Sequence, residues 1–278
     1  MDVVRCTSPQ EFLDRTCDLR AADPLRTNVV GSVAASVANQ QRQYEECFWW
    51  LVVDNAVVVA MAMRTSPHGL VTSPMTSDAA RALAVAVAAA DPALPSLLGS
   101  RDVVTTMVEE LSRHDLGRSG GHGRRDLLYA IDRLTPPDVA GEFRTATESD
   151  VDLVEQWGRD FHEELALPSE DEDAMRRRVA AGTLYLWSYH GEVVSLAGHA
   201  APVECAGTTV ARVGPVYTPP QRRGHGFAAA VSAALTDQLL RSGARVMLFA
   251  DADNPTSNGV YQRLGYVVVD EVVHYVFT

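Results

Sequence analysis

The sequence predicts an α/β chain with one structural plan written twice, two domains that each hold a central mixed β-sheet flanked by helices. Three observations carry this. Hydrophobic spacing alternates between helical and strand periods along the whole chain. The order of segments repeats: helices, three strands, a loop, then an alanine-rich helix. In the second half that loop bears glycines and opens directly into the helix at Phe227.

The first half opens with helical spacing over Ser8–Leu19 and again over Val29–Tyr44. Cys47–Val53 reads as a strand, Asp54-Asn55 as a turn and Ala56–Met63 as a second strand. Pro67-His68-Gly69 turns the chain into a short strand, Leu70–Ser73. The loop Pro74–Ser77 leads into a helix over Asp78–Ala90. Val103–His114 is a further helix, Gly117–Arg125 a glycine-rich basic surface loop, and Asp126–Leu134 a strand. The pair Trp49-Trp50 lies on the central strand and is expected in the core.

Residues 135–141, Thr-Pro-Pro-Asp-Val-Ala-Gly, read as a linker between a domain at 1–134 and one at 142–278. Helical spacing returns at Ser149–Leu165, behind a Ser149/Asp150 start signal, and at Glu170–Ala181, which stops at Gly182. Thr183–Tyr189 and Glu192–Ala200 flank the turn His190-Gly191. Thr208–Tyr217 is a strand closed by Pro219-Pro220. The helix Phe227–Arg241 follows the loop. Arg245–Ala250 is a buried strand, Thr256–Leu264 a short helix, and Gly265–Asp270 and Val272–Phe277 are the last strands.

Composition narrows the function classes. The 278 residues carry 24 Lys and Arg against 36 Asp and Glu, a net charge of −12. A broad nucleic-acid surface needs clustered cations, so none is expected. The acidic balance suits solubility and would also draw in a cationic amine. The four cysteines, Cys6, Cys17, Cys47 and Cys205, form no metal-binding spacing, and reduced buried thiols are expected. No apolar run is long enough to cross a bilayer, and Met1–Arg5 lacks signal-peptide character. A cytoplasmic protein with no membrane partner and no metal is expected.

The loop between Tyr217 and the following helix carries the chemistry. Gln221, Arg222, Arg223, Gly224, His225, Gly226, Phe227 and Ala228 stand where a strand gives way to a helix. The first N–H groups of a helix lack internal partners and face a positive dipole end, which suits a phosphate. Gly224 and Gly226 allow close backbone approach. Arg222 and Arg223 would add charge-assisted contacts. No Gly-Lys-Ser/Thr follows, so this is not a Walker loop. Ala229 takes the last place of Gly-x-Gly-x-x-Gly. Asp251 ends the next strand, where a nicotinamide site would want an acid, so the loop alone leaves that reading open.

The string Asp253–Tyr266 resolves the choice. Asn254-Pro255 starts a turn, Thr256 or Ser257 offers a helix cap, and Tyr261 falls inside the short helix. Together the two motifs resemble the GCN5-related N-acetyltransferase superfamily over residues 143–278. Its loop pattern, Arg/Gln-x-x-Gly-x-Gly/Ala, is met by Arg223, Gly226 and Ala228. Its later motif is met by Asn254, Ser257, Tyr261, Gly265 and Tyr266.

The resemblance implies acetyl-CoA as co-substrate and a primary amine as acceptor. Val216 and Tyr217 would pair with the pantetheine arm as an added strand would. Residues 221–228 would hold the pyrophosphate. Asn254 would contact the pantetheine arm or the strand splay, with Ser257 beside it among the cofactor-binding residues. Tyr261 would protonate the departing thiolate, and backbone N–H groups of Val216 or Tyr217 would polarise the carbonyl. Candidate bases are Glu204, His199, Asp251 and the cluster His162-Glu163-Glu164. In the first half the corresponding loop, Thr72–Asp78, has no glycine, and it carries Pro74, which lacks a donor, and Asp78, which repels phosphate. That half is expected to be a degenerate copy without cofactor, and the chain a monomeric pseudo-dimer or a homodimer. Two alternatives stand beside the enzyme: a non-catalytic acyl-CoA sensor, and a transferase using another acyl-CoA.

Overall fold

The computed structural model describes residues 1–113, 120–165 and 173–278. The first half runs β1 (Asp2–Cys6), α1 (Pro9–Arg15), α2 (Cys17–Ala22), α3 (Asn28–Ala38), β2 (Cys47–Asp54), β3 (Val57–Thr65), β4 (Leu70–Thr72), α4 (Ser77–Ala90), β5 (Ser96–Ser100), α5 (Arg101–Arg113) and β6 (Gly120–Ile131). The second runs β7 (Glu142–Thr145), α6 (Val151–Glu164), α7 (Ala174–Ala180), β8 (Leu184–Tyr189), β9 (Glu192–His199), β10 (Val203–Cys205), β11 (Thr208–Tyr217), α8 (Phe227–Arg241), β12 (Arg245–Asp251), α9 (Pro255–Leu264) and β13 (Val267–Phe277). With β10 set aside as a hairpin partner of β11, and α1 and α2 counted as one split helix, the two halves repeat the same order.

The two sheets expected, one in each half, are joined into one, in the order β1-β2-β3-β4-β5-β13-β6-β12-β11-β9-β8-β7. At its centre the halves exchange their last strands. β13 lies antiparallel on β5, with Tyr275 opposite Leu97. β6 lies antiparallel on β12, with Tyr129 opposite Leu248. The two exchanged strands pair with each other from Val267↔Ala130 to Phe277↔Gly120. The division at residue 134 follows chain order, but strand pairing crosses it. Residues 135–141 are also held in place: Thr135 N–H donates to Leu264 O at 2.9 Å, and Trp187 Nε1 donates to Ala140 O at 3.3 Å.

Several element boundaries differ from expectation for identifiable reasons. Ser8–Leu19 is two helices, broken at Thr16, whose hydroxyl turns back to Phe12 O at 2.7 Å. The helix expected over Val29–Tyr44 ends at Ala38. The basic segment at 120–125 is the start of β6, because β13 supplies a partner that local composition cannot reveal; residues 117–119 lie outside the described residues, as do 170–172 at the start of the expected Glu170–Ala181 helix. The two expected C-terminal strands are one, bulged between Val268 and Asp270 and again between Val273 and Tyr275. Short strands β1, β5, β7 and β10 escaped the pattern reading altogether. The 3₁₀ turn Glu148–Asp150 that leads into α6 starts at Thr147, in a reciprocal capping box with Asp150. Arg144 grips that Asp150 in a fork at 2.7 and 2.8 Å, holding its carboxyl well below the usual range.

Each half has its own core. Trp50 stacks on Phe48 with ring centroids 5.2 Å apart and packs with Leu83 and Met107, while Trp49 faces the other way onto Phe12. In the second half α8 and α9 cover one face with Val231, Leu235, Tyr261 and Leu264. α6 and α7 cover the other with Trp157 and Met175. Leu25 of the first half also packs on that second face, against Val210 and Met247. There Cys17 and Cys205, one from each half, bring their Sγ atoms to 3.7 Å. Among the described residues no helix is long and apolar enough to cross a membrane.

Candidate active site

The site begins where two parallel strands stop pairing. β11 and β12 run in register from Val210↔Arg245 to Val213↔Leu248, and there the ladder ends. β11 continues against β9 alone, as Val216↔Ala197 and Tyr217↔Leu196, after a bulge at Gly214-Pro215. Gly214 adopts φ +145°, which its missing Cβ permits. Val216 and Tyr217 thus line an open seam whose other edge is the end of β12. A bulge that turns a strand away from its neighbour exposes ladder donors and acceptors to a third, strand-like partner.

The seam leads to the loop. Ser195 Oγ donates to Tyr217 O at 3.0 Å and touches Thr218 Oγ1 at 2.7 Å, anchoring the exit from β11. Pro220–Arg222 make one 3₁₀ turn. Gly224 and Gly226 both sit at φ +81°, and Gly226 forms the N-cap of α8. A Cβ on Gly226 would meet Val139 Cγ2 at 3.0 Å. No side chain caps this helix, so its first amides are free for an anion. Phe227 is buried against Tyr189, which fixes the helix start. Gln221 and His225 are exposed, and Ala228 is half-buried.

Both arginines are engaged within the protein rather than turned freely to the loop. Arg222 pairs with Glu192. Arg223 forks onto Glu164 at 2.7 and 2.8 Å and donates through Nε to Thr218 O at 2.8 Å. Glu164 also accepts from Tyr217 Oη at 3.4 Å, and burial with the nearby carboxylate pushes that phenol up to about 12. The donors this loop leaves unengaged are therefore the backbone amides at the start of α8, with the arginines shaping the loop.

α9 brings the second motif to the seam. Asn254, not Thr256 or Ser257, is its N-cap: Asn254 Oδ1 accepts from Ser257 N–H at 3.1 Å, and Ser257 Oγ returns to Asn254 O. Their placement is first of all structural, leaving the Asn254 Nδ2 donor for other contacts. Tyr261 is buried, with its ring 6.2 Å from Tyr129 and 5.8 Å from Tyr266. Its Oη has no hydrogen-bond partner among the described residues, and burial pushes its pKa up to about 12.

Of the candidate bases, His199 has the most telling position. It faces Val213, the last residue before the seam opens, and its ring lies over Tyr185 at 6.0 Å. Nδ1 stands 2.8 Å from Ala200 O; in the neutral ring this nitrogen carries the proton and Nε2 is left with its lone pair. Burial lowers its pKa. Asp251 instead accepts from Asp253 N–H at 2.9 Å and shapes a turn. Glu204 and Glu163 are exposed. His162 Nδ1 is tied to Gly158 O at 2.7 Å.

Two residues escaped sequence reasoning. Asn258 is buried and donates to Asp251 O at 2.9 Å and Ala252 O at 3.2 Å, fastening α9 to the end of β12. Tyr129 arrives from the first half on β6 and donates to Asn258 Oδ1. The Asn258 position lies inside the motif and was open to discovery; Tyr129 was not, because nothing local shows the strand exchange.

The matching place in the first half is bridged by a side chain. β4 pairs with β5 at Leu70↔Leu97 and Val71↔Leu98. Beyond it Thr72 Oγ1 reaches toward Leu98 O at 3.4 Å, and a Cβ on Gly99 would meet that Oγ1 at 2.2 Å. The α4 terminus is capped by Thr76, whose hydroxyl accepts from Ala79 N–H.

The fold is shared with known proteins. Residues 189–275 match the family model described as FR47-like protein. A GCN5-related N-acetyltransferase from Sphaerobacter thermophilus superposes with a TM-score of 0.63 at 16% identity, covering 98% of this chain and 94% of that one. A GNAT-family acetyltransferase from Colwellia psychrerythraea gives 0.61 at 12% identity, with both chains covered in full. A tandem GNAT protein from the clavulanic acid biosynthesis pathway gives 0.60 at 12% identity, covering 99% and 98%. No curated protein sequence matches the chain. The C-terminal part thus matches the FR47-like family model, and the mixed-sheet fold along the whole chain is the one these GCN5-related N-acetyltransferase structures, a tandem one included, share.

Proposed function

We propose that the second half transfers an acetyl group from acetyl-CoA to a primary amine by direct attack. The open seam beside Gly214, running into the uncapped start of α8, carries this reading. The amides of Gly224–Ala228 hold the pyrophosphate. The edge of Val216 and Tyr217 takes the pantetheine as an extra strand, and a β11 amide polarises the thioester carbonyl. The neutral amine attacks that carbonyl, the C–S bond breaks, and CoA leaves as thiolate. With its pKa near 12, Tyr261 stays protonated and shares its proton with the thiolate through a hydrogen bond. His199, held neutral, is the group we assign to accept the amine proton. The first half, with Thr72 bridging the strand ends and Thr76 capping its helix, binds no acyl-CoA and serves to complete the sheet.

Calorimetry with acetyl-CoA on the wild type and on Gly226→Glu tests the cofactor site. One site, abolished in the variant, is the expected result. Two sites would overturn the silent first half, and no binding would overturn the transferase. With an amine substrate in hand, Tyr261→Phe is expected to lower kcat about 10²- to 10⁴-fold, the range of general acid catalysis.

A further inference from the structure

Where the two halves join, two thiols from distant parts of the chain are in contact. Cys17 opens α2 directly after Thr16, the residue that breaks the first helix. Cys205 ends β10, at the tight turn Ala206-Gly207 with φ +49° and +78°. Their Sγ atoms stand 3.7 Å apart across 188 residues of sequence, and Cys205 Sγ also donates to Cys17 O at 3.2 Å. Buried cysteines ordinarily pack singly, as small hydrophobes. Cys6 and Cys47 do so in the first-half core, with no sulfur–sulfur contact among the described residues. Thiols already in contact need only a small shift to bond, since a disulfide spans about 2.05 Å. β10 can yield that shift, because it pairs with β11 alone and stands off the main path of the sheet. The surroundings suit the reaction. Cys205 lines a recess at the contact of the halves with Arg20, Asn28, Thr208 and Val210. Arg20 is buried, and its guanidinium donates to neutral acceptors, Thr16 Oγ1 at 3.1 Å and Leu13 O at 2.7 Å. A cation beside a thiol favours the thiolate. Burial pushes the Cys205 thiol up, and the positive Arg20 opposes that rise. Cys17 is the more exposed of the pair and meets an oxidant first.

We propose that Cys17 and Cys205 form a redox-modification site, which a hydroperoxide closes into a reversible disulfide that clamps the first half's helices to the β10–β11 hairpin. Cys17, as thiolate, attacks one peroxide oxygen. The O–O bond breaks, and the alcohol, or water from hydrogen peroxide, leaves with a proton. The sulfur of Cys205 then attacks the Cys17 sulfenic acid. The S–O bond breaks, and hydroxide leaves with the Cys205 proton as water. The two thiols together give up two electrons, and the peroxide takes them. A dithiol reverses the bond by exchange. The clamp holds β11 at its Thr208 end, through the pair Cys205↔Thr208, while the seam opens at Gly214 on the same strand. The site is independent of the transferase reading.

Hydrogen peroxide is the probe, applied to the full chain. The treated wild type should lose two hydrogens in intact mass and yield a single linked pair, Cys17 with Cys205, in a non-reducing digest. Its thermal midpoint should rise by about 5 °C or more, because the bond closes a long loop. Dithiothreitol should return both the mass and the midpoint to their starting values. Cys205→Ser should stop at a Cys17 sulfenic acid that dimedone captures, and Cys17→Ser should form no link. The wild-type digest decides the matter even where a variant folds poorly. A digest without the Cys17–Cys205 link, or with links spread over Cys6 and Cys47, would overturn the site. A link that leaves the midpoint unchanged would overturn the clamp.

Discussion

Tyr129 Oη donates to Asn258 Oδ1 at 3.1 Å, so the first half's last strand holds the helix that carries the second half's Tyr261. Gln262 Nε2 reaches the same phenol at 3.4 Å. Tyr129→Phe keeps the ring and removes the donor, leaving a buried amide oxygen unpaired. That should cost about 1–3 kcal/mol of stability. Because α9 borders the seam, the KM for acetyl-CoA should rise as well. Thermal unfolding and steady-state kinetics read the two effects separately; an unchanged KM would show that the contact serves folding alone.

The strand exchange makes a stronger demand. A chain restricted to residues 142–278 lacks β6, so β12 presents an open edge and β13 loses both neighbours. Such a fragment should be insoluble or aggregated. Adding residues 1–134 in trans should restore a soluble complex, which size-exclusion chromatography would detect. A soluble monomeric fragment with native-like circular dichroism would contradict the exchanged topology.

The parts legible in the sequence were those set by local chemistry. The motif from Arg223 to Ala228 and the Asn254–Tyr266 string place the loop and helix because their φ angles, cap and periods depend on neighbours in the chain. Strand pairing is a long-range property. Gly120–Arg125 is glycine-rich and charged, and reads as a loop until β13 is laid beside it. Likewise the ionic partners of Arg222 and Arg223, Glu192 and Glu164, lie 30 and 59 residues away. Spacing along the chain carries no trace of either pair.

His199 gives the site a pH signature. Burial lowers its pKa below the usual 6.5, so the folded protein holds it neutral. The unfolded chain binds its proton first as pH falls, and the stability due to the neutral ring is present above about pH 6.5 and lost as pH falls through the lower folded value. His68 and His274 are lowered too, chiefly by burial, and add to the same trend. His199→Gln should flatten the loss of stability between pH 7 and 5. If His199 takes the amine proton, the acid limb of kcat/KM should also vanish in the variant. Flattened stability with an unchanged acid limb would assign the base elsewhere.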